Sequence, residues 1–254
     1  MMESLLTLTN LSAQEFLILT LIVLVAGIVR GFSGFALSAL IMATAVLILP
    51  PVELLPMLWW LELSASVLMI KESWAAADRG TAIGLVIGST AGWPLGLWLT
   101  VTLPVETSKL IALSIIIVLA ISQLGKLKLS FLATRPGLYG TGIVAGIVSG
   151  LAHVGGMVVA LYVLASDAPA RQMRASLVLF LFLGSLTSMI TLLIFGVMDF
   201  SGVTRGLIFA VPTMIGVYLG QKLFIPTLSQ YYRAFCLTLL CLLAVASLIR
   251  TQVT

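Results

Sequence analysis

Eight long apolar runs follow one another along this chain, separated only by short polar stretches. The runs cover residues 16–49, 53–70, 80–102, 107–124, 138–165, 172–197, 202–224 and 232–249. Only 9% of the 254 residues are charged, against about 25% in soluble domains. Because about 20 apolar residues cross the hydrocarbon core as a helix, the pattern predicts an all-α polytopic membrane protein. No polar stretch is long enough for a soluble domain, so we expect one membrane domain over residues 1–254.

The first and fifth runs are interrupted by polar residues and glycines. Residues 30–34 interrupt the first run, which is too long for one span and too short for two. Residues 149–156 interrupt the fifth run in the same manner. Backbone that leaves the helix at membrane depth needs other partners for its polar groups. We therefore expect each of these two runs to form a broken pair of helices.

The two interruptions also reveal an internal repeat. Residues 26–31 (AGIVRG) and 145–150 (AGIVSG) are identical at five of six positions. Two further landmarks recur in the same order: Arg79-Gly80 with Arg205-Gly206, and Gly92/Gly96 with Gly216/Gly220. Landmarks in a conserved order indicate duplication. The predicted units are repeat 1 over 16–125, a linker over 126–137 and repeat 2 over 138–250.

The distribution of Lys and Arg predicts the topology. If each broken run enters and leaves on the same side as a re-entrant hairpin, nine cations lie on one side and three on the other. The nine are Lys71, Arg79, Lys126, Lys128, Arg135, Arg171, Arg174, Lys222 and Arg233; the three are Lys109, Arg205 and Arg250. The positive-inside rule then places the nine in the cytoplasm and both termini outside. Eight full spans, two of them kinked, are the alternative, with a weaker bias of seven to five.

In the re-entrant arrangement each half holds one broken helical hairpin plus three transmembrane helices. Three is an odd number, so the second half is inverted relative to the first. Inverted repeats with broken helices near the midplane are typical of secondary transporters, and the substrate binds where the breaks meet.

Arg30 predicts that this substrate is an anion. An Arg near the bilayer centre costs about 2.5–3.5 kcal/mol on insertion scales and keeps its charge, so it needs a negative partner. Glycines let the backbone approach a ligand, Ser33 is a candidate N-cap for the returning helix, and helix N-termini attract anions. The candidate binding residues are Arg30, Gly31, Ser33, Gly34, Ser149, Gly150, His153, Gly155 and Gly156.

Structural interpretations of the same residues stay open. Arg30 could extend to an interface or pair with an in-membrane acid such as Glu62, and His153 could be a hydrogen-bonded core residue. Packing between helices is the favoured role of Gly84, Gly88, Gly92 and Gly96, which are spaced four apart. Glu62, an acid near the middle of the second run, is the candidate proton carrier.

Several other functions are not indicated by the composition. The thirteen Lys and Arg residues are scattered between apolar runs, which argues against nucleic-acid binding. One His without a nearby Cys or acid cluster is a poor metal site. Cys236 and Cys241 are expected to be packing residues. No nucleotide-binding loop is present, so we expect no cofactor and a driving force from an ion gradient, with H+ as a candidate, or from the substrate gradient.

Residues 27–35 (GIVRGFSGF) and 146–156 (GIVSGLAHVGG), with 92–96 (GWPLG) between them, resemble motifs of the sulfite exporter TauE/SafE family. The likeness in length and duplication extends over nearly the whole chain. It implies a multi-pass carrier in the cytoplasmic (inner) membrane that moves small sulfur-containing anions outward. Sulfite, sulfoacetate and related organosulfonates are the implied substrates. The oligomeric state stays open, a homodimer included.

Two rival functions remain at this stage. The pattern G-x-S-G at residues 31–34 also fits an intramembrane serine protease in which Ser33 and His153 form a dyad. Duplication explains the motif better than catalysis does, because Ser33 has its counterpart in the Ala152-His153 stretch of the second half. An anion channel is the other alternative.

Overall fold

A computed structural model describes residues 2–125, 134–165, 168–223 and 229–253. Every regular element in these ranges is a helix. The eleven helices are α1 (Met2–Thr9), α2 (Ala13–Ser33), α3 (Leu37–Ala45), α4 (Pro51–Ala76), α5 (Arg79–Thr102), α6 (Val105–Leu124), α7 (Arg135–Ala152), α8 (Gly155–Ala165), α9 (Ala170–Ile194), α10 (Phe200–Lys222) and α11 (Ser229–Val253). The predicted all-α class is confirmed.

Six of the described helices are long and apolar enough to cross a bilayer, namely α2, α4, α5, α6, α9 and α10. All eight predicted runs coincide with helices. Polar residues between the runs cap several of them: the side chains of Ser12, Asp78, Thr134 and Asp199 each accept a backbone N–H of the first helical turn. The chain is therefore a multi-pass membrane protein.

The predicted interruptions divide the first and fifth runs. The first run divides into α2, with 21 residues, and α3, with 9. The fifth divides into α7, with 18 residues, and α8, with 11. The two helices of each broken run are thus unequal in length, and of these four helices α2 is the one that is both long and apolar enough to cross the membrane. Re-entry on one side, the inverted orientation of the halves and the position of the termini all stay predictions.

Two of the contacts between helices of the two halves have a matching contact between the corresponding helices. α2 packs along α10, and its counterpart α7 packs along α5. α4 likewise contacts α10, while its counterpart α9 contacts α5. The broken run of each half thus packs on the second of the three long helices that follow the broken run in the other half, α10 or α5. The repeat boundaries at 16–125 and 138–250 stay a prediction.

Glycines form the crossings in both pairs of helices. A Cβ at Gly96 would overlap the carbonyl oxygen of Ile147, and one at Gly220 would overlap that of Ile28. At Gly88 and Gly92 a Cβ would also meet α7 backbone, and at Gly84 it would meet the Leu138 side chain. The predicted packing role of the glycines spaced four apart in α5 is confirmed.

Helix α1 precedes the first apolar run and was not predicted. Arg205 of α10, only 4% exposed, donates from Nε to the carbonyl oxygen of Thr9 at 2.7 Å. Its Nη1 pairs with Glu53 of α4 at 2.7 Å. This arginine therefore holds the end of α1 against α4 and α10.

Some predictions fall outside the described residues. These are most of the 126–137 linker with Lys126 and Lys128, and the side chains of Arg233 and Cys236. Cys241 is half-buried and packs against the main apolar core, as expected for a packing residue.

Candidate functional site

The two interruptions end their helices in the same way. α2 ends at Gly34 (φ 82°), whose N–H donates to the Arg30 carbonyl at 2.9 Å. α7 ends at His153 (φ 56°), whose N–H donates to the Ser149 carbonyl at 2.8 Å. Both residues are in the left-handed conformation that terminates helices. Arg30 and Ser149 therefore occupy equivalent positions, one turn before the break.

Ser33 does not cap the returning helix, so that prediction was wrong. Ser33 is the last residue of α2, and the N-cap of α3 is Ala36, which makes no side-chain capping bond. The Ser33 hydroxyl donates to the Phe35 carbonyl at 2.6 Å and accepts the Phe35 N–H at 3.2 Å. The first break is too tight for Ser33 to reach the next helix, and the hydroxyl stabilises the turn instead.

The Arg30 side chain is fully buried and bound to protein groups. Its Nε lies 3.3 Å from Glu62 Oε2, and its Nη2 donates to Ser66 Oγ at 3.0 Å. Its Nη1 donates to the Gly34 carbonyl. The alternative in which Arg30 pairs with Glu62 is thus the arrangement observed. In this conformation the guanidinium has a negative partner within the chain.

Glu62 occupies the position where the sequence predicted a bound anion. Its Oε1 accepts the Ser38 hydroxyl at 2.8 Å and the Ser38 backbone N–H at 3.4 Å. Ser38 is in the first turn of α3, where free N–H groups favour a negative charge. The carboxylate therefore lies between the Arg30 guanidinium and the N-terminus of α3, with only 3% of the residue exposed.

Arg174, at the start of α9, is a second cation at the first break that sequence reasoning did not single out. It donates to the Gly31 carbonyl in the last turn of α2. A Cβ at Gly34 would lie 2.7 Å from its Cγ. A cation at a helix C-terminus is stabilising. In the sequence, Arg174 was noted only as one of the nine cations predicted to be cytoplasmic. No local pattern indicates that α9 packs against the end of α2.

Gly31 and Gly150 belong to the helix crossings. A Cβ at Gly31 would overlap the Val217 carbonyl of α10, and one at Gly150 would overlap the Leu97 amide of α5. Their missing side chains therefore make room for neighbouring helices. Packing explains both glycines without a ligand.

His153 ends α7 with its ring packed edge-on against Trp93 of α5, with 5.7 Å between ring centroids. Its Nδ1 is buried and has no hydrogen-bond partner within the described part of the chain. Gly155 and Gly156 follow; a Cβ at the first would collide with Ser149 Oγ, and one at the second would touch Leu181. An unpaired buried ring nitrogen costs about 1–3 kcal/mol, so a ligand at this position would be stabilised.

A narrow cavity lies at this second break, between α4, α5, α7 and α9. Its lining residues are Glu62, Ser89, Trp93, Ser149, His153, Phe180, Leu181, Gly184, Ser185 and Ser188. The space open to the centre of a water molecule is about 20 Å³, slightly more than one water needs. The cavity is therefore narrow, but it is not enclosed.

Three of the predicted residues line the cavity: Glu62, Ser149 and His153. Arg30 is not among the lining residues, but it pairs with Glu62, which is. The predicted residues outside the lining are Gly31, Ser33, Gly34, Gly150, Gly155 and Gly156. Sequence reasoning missed the α9 face and Ser89. Serines within a strongly apolar run were the only available signal for them.

No group of three or more His, Cys, Asp or Glu side chains able to hold a metal occurs among the described residues. Ser33 and His153 are also not a dyad, since the Ser33 hydroxyl bonds to Phe35 and the His153 Nδ1 is unpaired in the same described ranges.

The bundle of apolar helices defines a multi-pass membrane protein, and a buried Arg–Glu pair adjoins its cavity. The family model TauE, described as sulfite exporter TauE/SafE, matches residues 19–247 of the 254. The chain belongs to this family of membrane transporters of sulfur-containing anions such as sulfite, and it is not an enzyme. The searches of curated proteins and of solved structures found no match.

Proposed function

We propose that this chain is a secondary transporter that exports sulfite or small organosulfonates, such as sulfoacetate, across the cytoplasmic membrane. The anion binds in the cavity at the second break, between two inverted repeats. The observation that supports this proposal is the cavity itself, where Ser149, His153 and Glu62 converge on one buried space beside Arg30.

The donors around the cavity suit an oxyanion. Hydroxyls come from Ser89 and Ser149, and the His153 imidazole has an unpaired nitrogen. A sulfite or sulfonate group offers three acceptor oxygens, and hydrogen bonds to a charged group are about twice as strong as neutral ones. The Trp93 ring, which packs against His153, forms part of the cavity lining.

Glu62 makes binding of the anion depend on a proton. A carboxylate on the cavity wall repels an entering anion; two unit charges 4 Å apart interact by about 4 kcal/mol at an effective dielectric of 20. Protonation of Glu62 removes this repulsion and leaves the Arg30 charge unbalanced. Arg30 is then neutralised by the substrate in place of Glu62. We infer that a proton and the anion occupy the site together.

Counterflow in liposomes tests the transport proposal. We expect saturable exchange of labelled substrate by the purified protein for at least one of sulfite, sulfoacetate and isethionate, with taurine and sulfate as comparison anions. Ser149→Ala and His153→Gly are expected to reduce the exchange about tenfold, since each removes a donor to a charged group. Glycine is chosen because it adopts the left-handed conformation at residue 153 without strain.

The matched control is Ser122→Ala. The Ser122 hydroxyl is on the exposed side of α6 and bonds only within its own helix, to the Val118 carbonyl at 2.7 Å. Unchanged exchange in this variant excludes a general effect of removing a serine. Absence of counterflow with every sulfur anion, or flux without exchange as in an open pore, would contradict the proposal.

A further inference from the structure

We propose that Gly184 determines the largest substrate that the transporter accepts. Its missing side chain leaves the space that the carbon substituent of an organosulfonate occupies. The proposal rests on the function proposed above, namely that the cavity at the second break is the transport site.

Gly184, which is half-buried, differs from the glycines at the helix crossings in what surrounds it. A Cβ at Gly184 would meet no atom within 4 Å. At the crossings, by contrast, a Cβ would overlap the backbone of another helix, as at Gly96 and Gly220. Gly184 lines the cavity. Since Gly184 lines the cavity and no atom lies near its Cβ position, we assign the open space beside it to the cavity.

The cavity has different chemistry on its two sides. Potential donors to the anionic group come from α5 and α7, through Ser89, Ser149 and His153. The α9 side presents Phe180 and Leu181 one turn before Gly184.

Ser185 and Ser188 also lie on this face of α9, but their hydroxyls are already used in hydrogen bonds within the helix. The Ser185 hydroxyl donates to the Leu181 carbonyl at 2.8 Å, and the Ser188 hydroxyl donates to the Ser185 carbonyl at 3.2 Å. Both hydroxyls are thus satisfied within their own helix. The oxyanion therefore faces α5 and α7, and the rest of the substrate faces the gap at Gly184.

A side chain at residue 184 consequently shortens the space for the substituent and leaves the donors unchanged. Sulfite has no carbon substituent and does not need the gap. One methyl group in a binding space changes discrimination by about 10- to 200-fold. We expect Gly184→Ala to lower transport of sulfoacetate and isethionate at least tenfold relative to sulfite, and Gly184→Val to lower it further.

The experiment measures counterflow of sulfite, isethionate and sulfoacetate by the parent, Gly184→Ala and Gly184→Val in liposomes. Alanine favours the helix over glycine, so the alanine variant is expected to fold. Gly140→Ala and Gly140→Val are matched controls: a Cβ there also meets nothing within 4 Å, but Gly140 is exposed on α7 and outside the cavity lining. The controls are expected to keep the parent's ratio of sulfonate to sulfite transport.

A selective loss of the larger anions in the Gly184 variants supports the inference. An unchanged ratio in both Gly184 variants overturns it, and so does an equal loss of all three anions, sulfite included. If the parent exchanges none of the anions, the proposed transport function is wrong. If the parent transports the anions and the Gly184 variants keep its ratio of sulfonate to sulfite transport, only the role of Gly184 is wrong.

Discussion

Replacing Glu62 with alanine is expected to destabilise the protein by about 3–5 kcal/mol, because it leaves the buried Arg30 charge without its partner. The two side chains are 0% and 4% exposed, with Nε and Oε2 3.3 Å apart. Removal of the carboxylate also leaves the Ser38 hydroxyl without its acceptor. Thermal or denaturant unfolding of the purified protein in lipid nanodiscs measures the loss.

The matched control for this prediction is Glu106→Ala. Glu106 pairs with Lys109 at 2.9 Å on an exposed helix face, where the Glu side chain is 64% exposed. Such pairs contribute about 0–1 kcal/mol, so this variant is expected to unfold close to the parent. Arg30→Met/Glu62→Leu is expected to recover much of the stability, since replacing a buried pair by apolar groups is often neutral. A Glu62→Ala variant as stable as Glu106→Ala would contradict the ion pair.

Valine at Gly96 or at Gly220 is expected to prevent correct packing, at a cost of about 3 kcal/mol or more. In each variant the new side chain overlaps a backbone carbonyl, of Ile147 at the first crossing and of Ile28 at the second. Backbone cannot turn aside as a side chain does, so α5 must separate from α7 and α10 from α2. The yield of monodisperse protein and its melting temperature measure the effect.

The two glycines test the repeat as well as the packing. Because the crossings are equivalent, Gly96→Val and Gly220→Val are expected to cause similar losses, while Gly140→Val, with open space at its Cβ, is expected to behave as the parent. A large loss in one half and none in the other would argue against equivalent crossings.

Local patterns in the sequence predicted most of the fold. Apolar runs of sufficient length become helices wherever they occur, and glycine with polar residues marks where a helix at membrane depth ends. The helices end within residues 30–34 and 149–156, where the sequence predicted interruptions. Helix α1 was missed because its eight residues are too few to show a long apolar run.

The site was predicted less well because it depends on contacts between distant segments. The charge of Arg30 required an anion, but nothing in the sequence fixed whether that anion is a substrate or Glu62. The contributions of Gly184 and Arg174 depend on where α9 packs, which no local pattern specifies. Ser33 was misassigned for a local reason, since the left-handed turn at Gly34 and Ala36 delays the start of α3.

We expect the substrate to replace Glu62 as the negative partner of Arg30 when a proton binds Glu62. The most direct test is whether protons cross the membrane together with the sulfonate. Isethionate is suited to it because a sulfonate stays ionised and does not cross the lipid as a neutral acid. With an inward isethionate gradient, liposomes containing the parent and a trapped pH dye are expected to acidify. Glu62→Gln, which keeps the shape of the side chain, is expected to move isethionate without acidification. Acidification by Glu62→Gln equal to that of the parent would contradict the account.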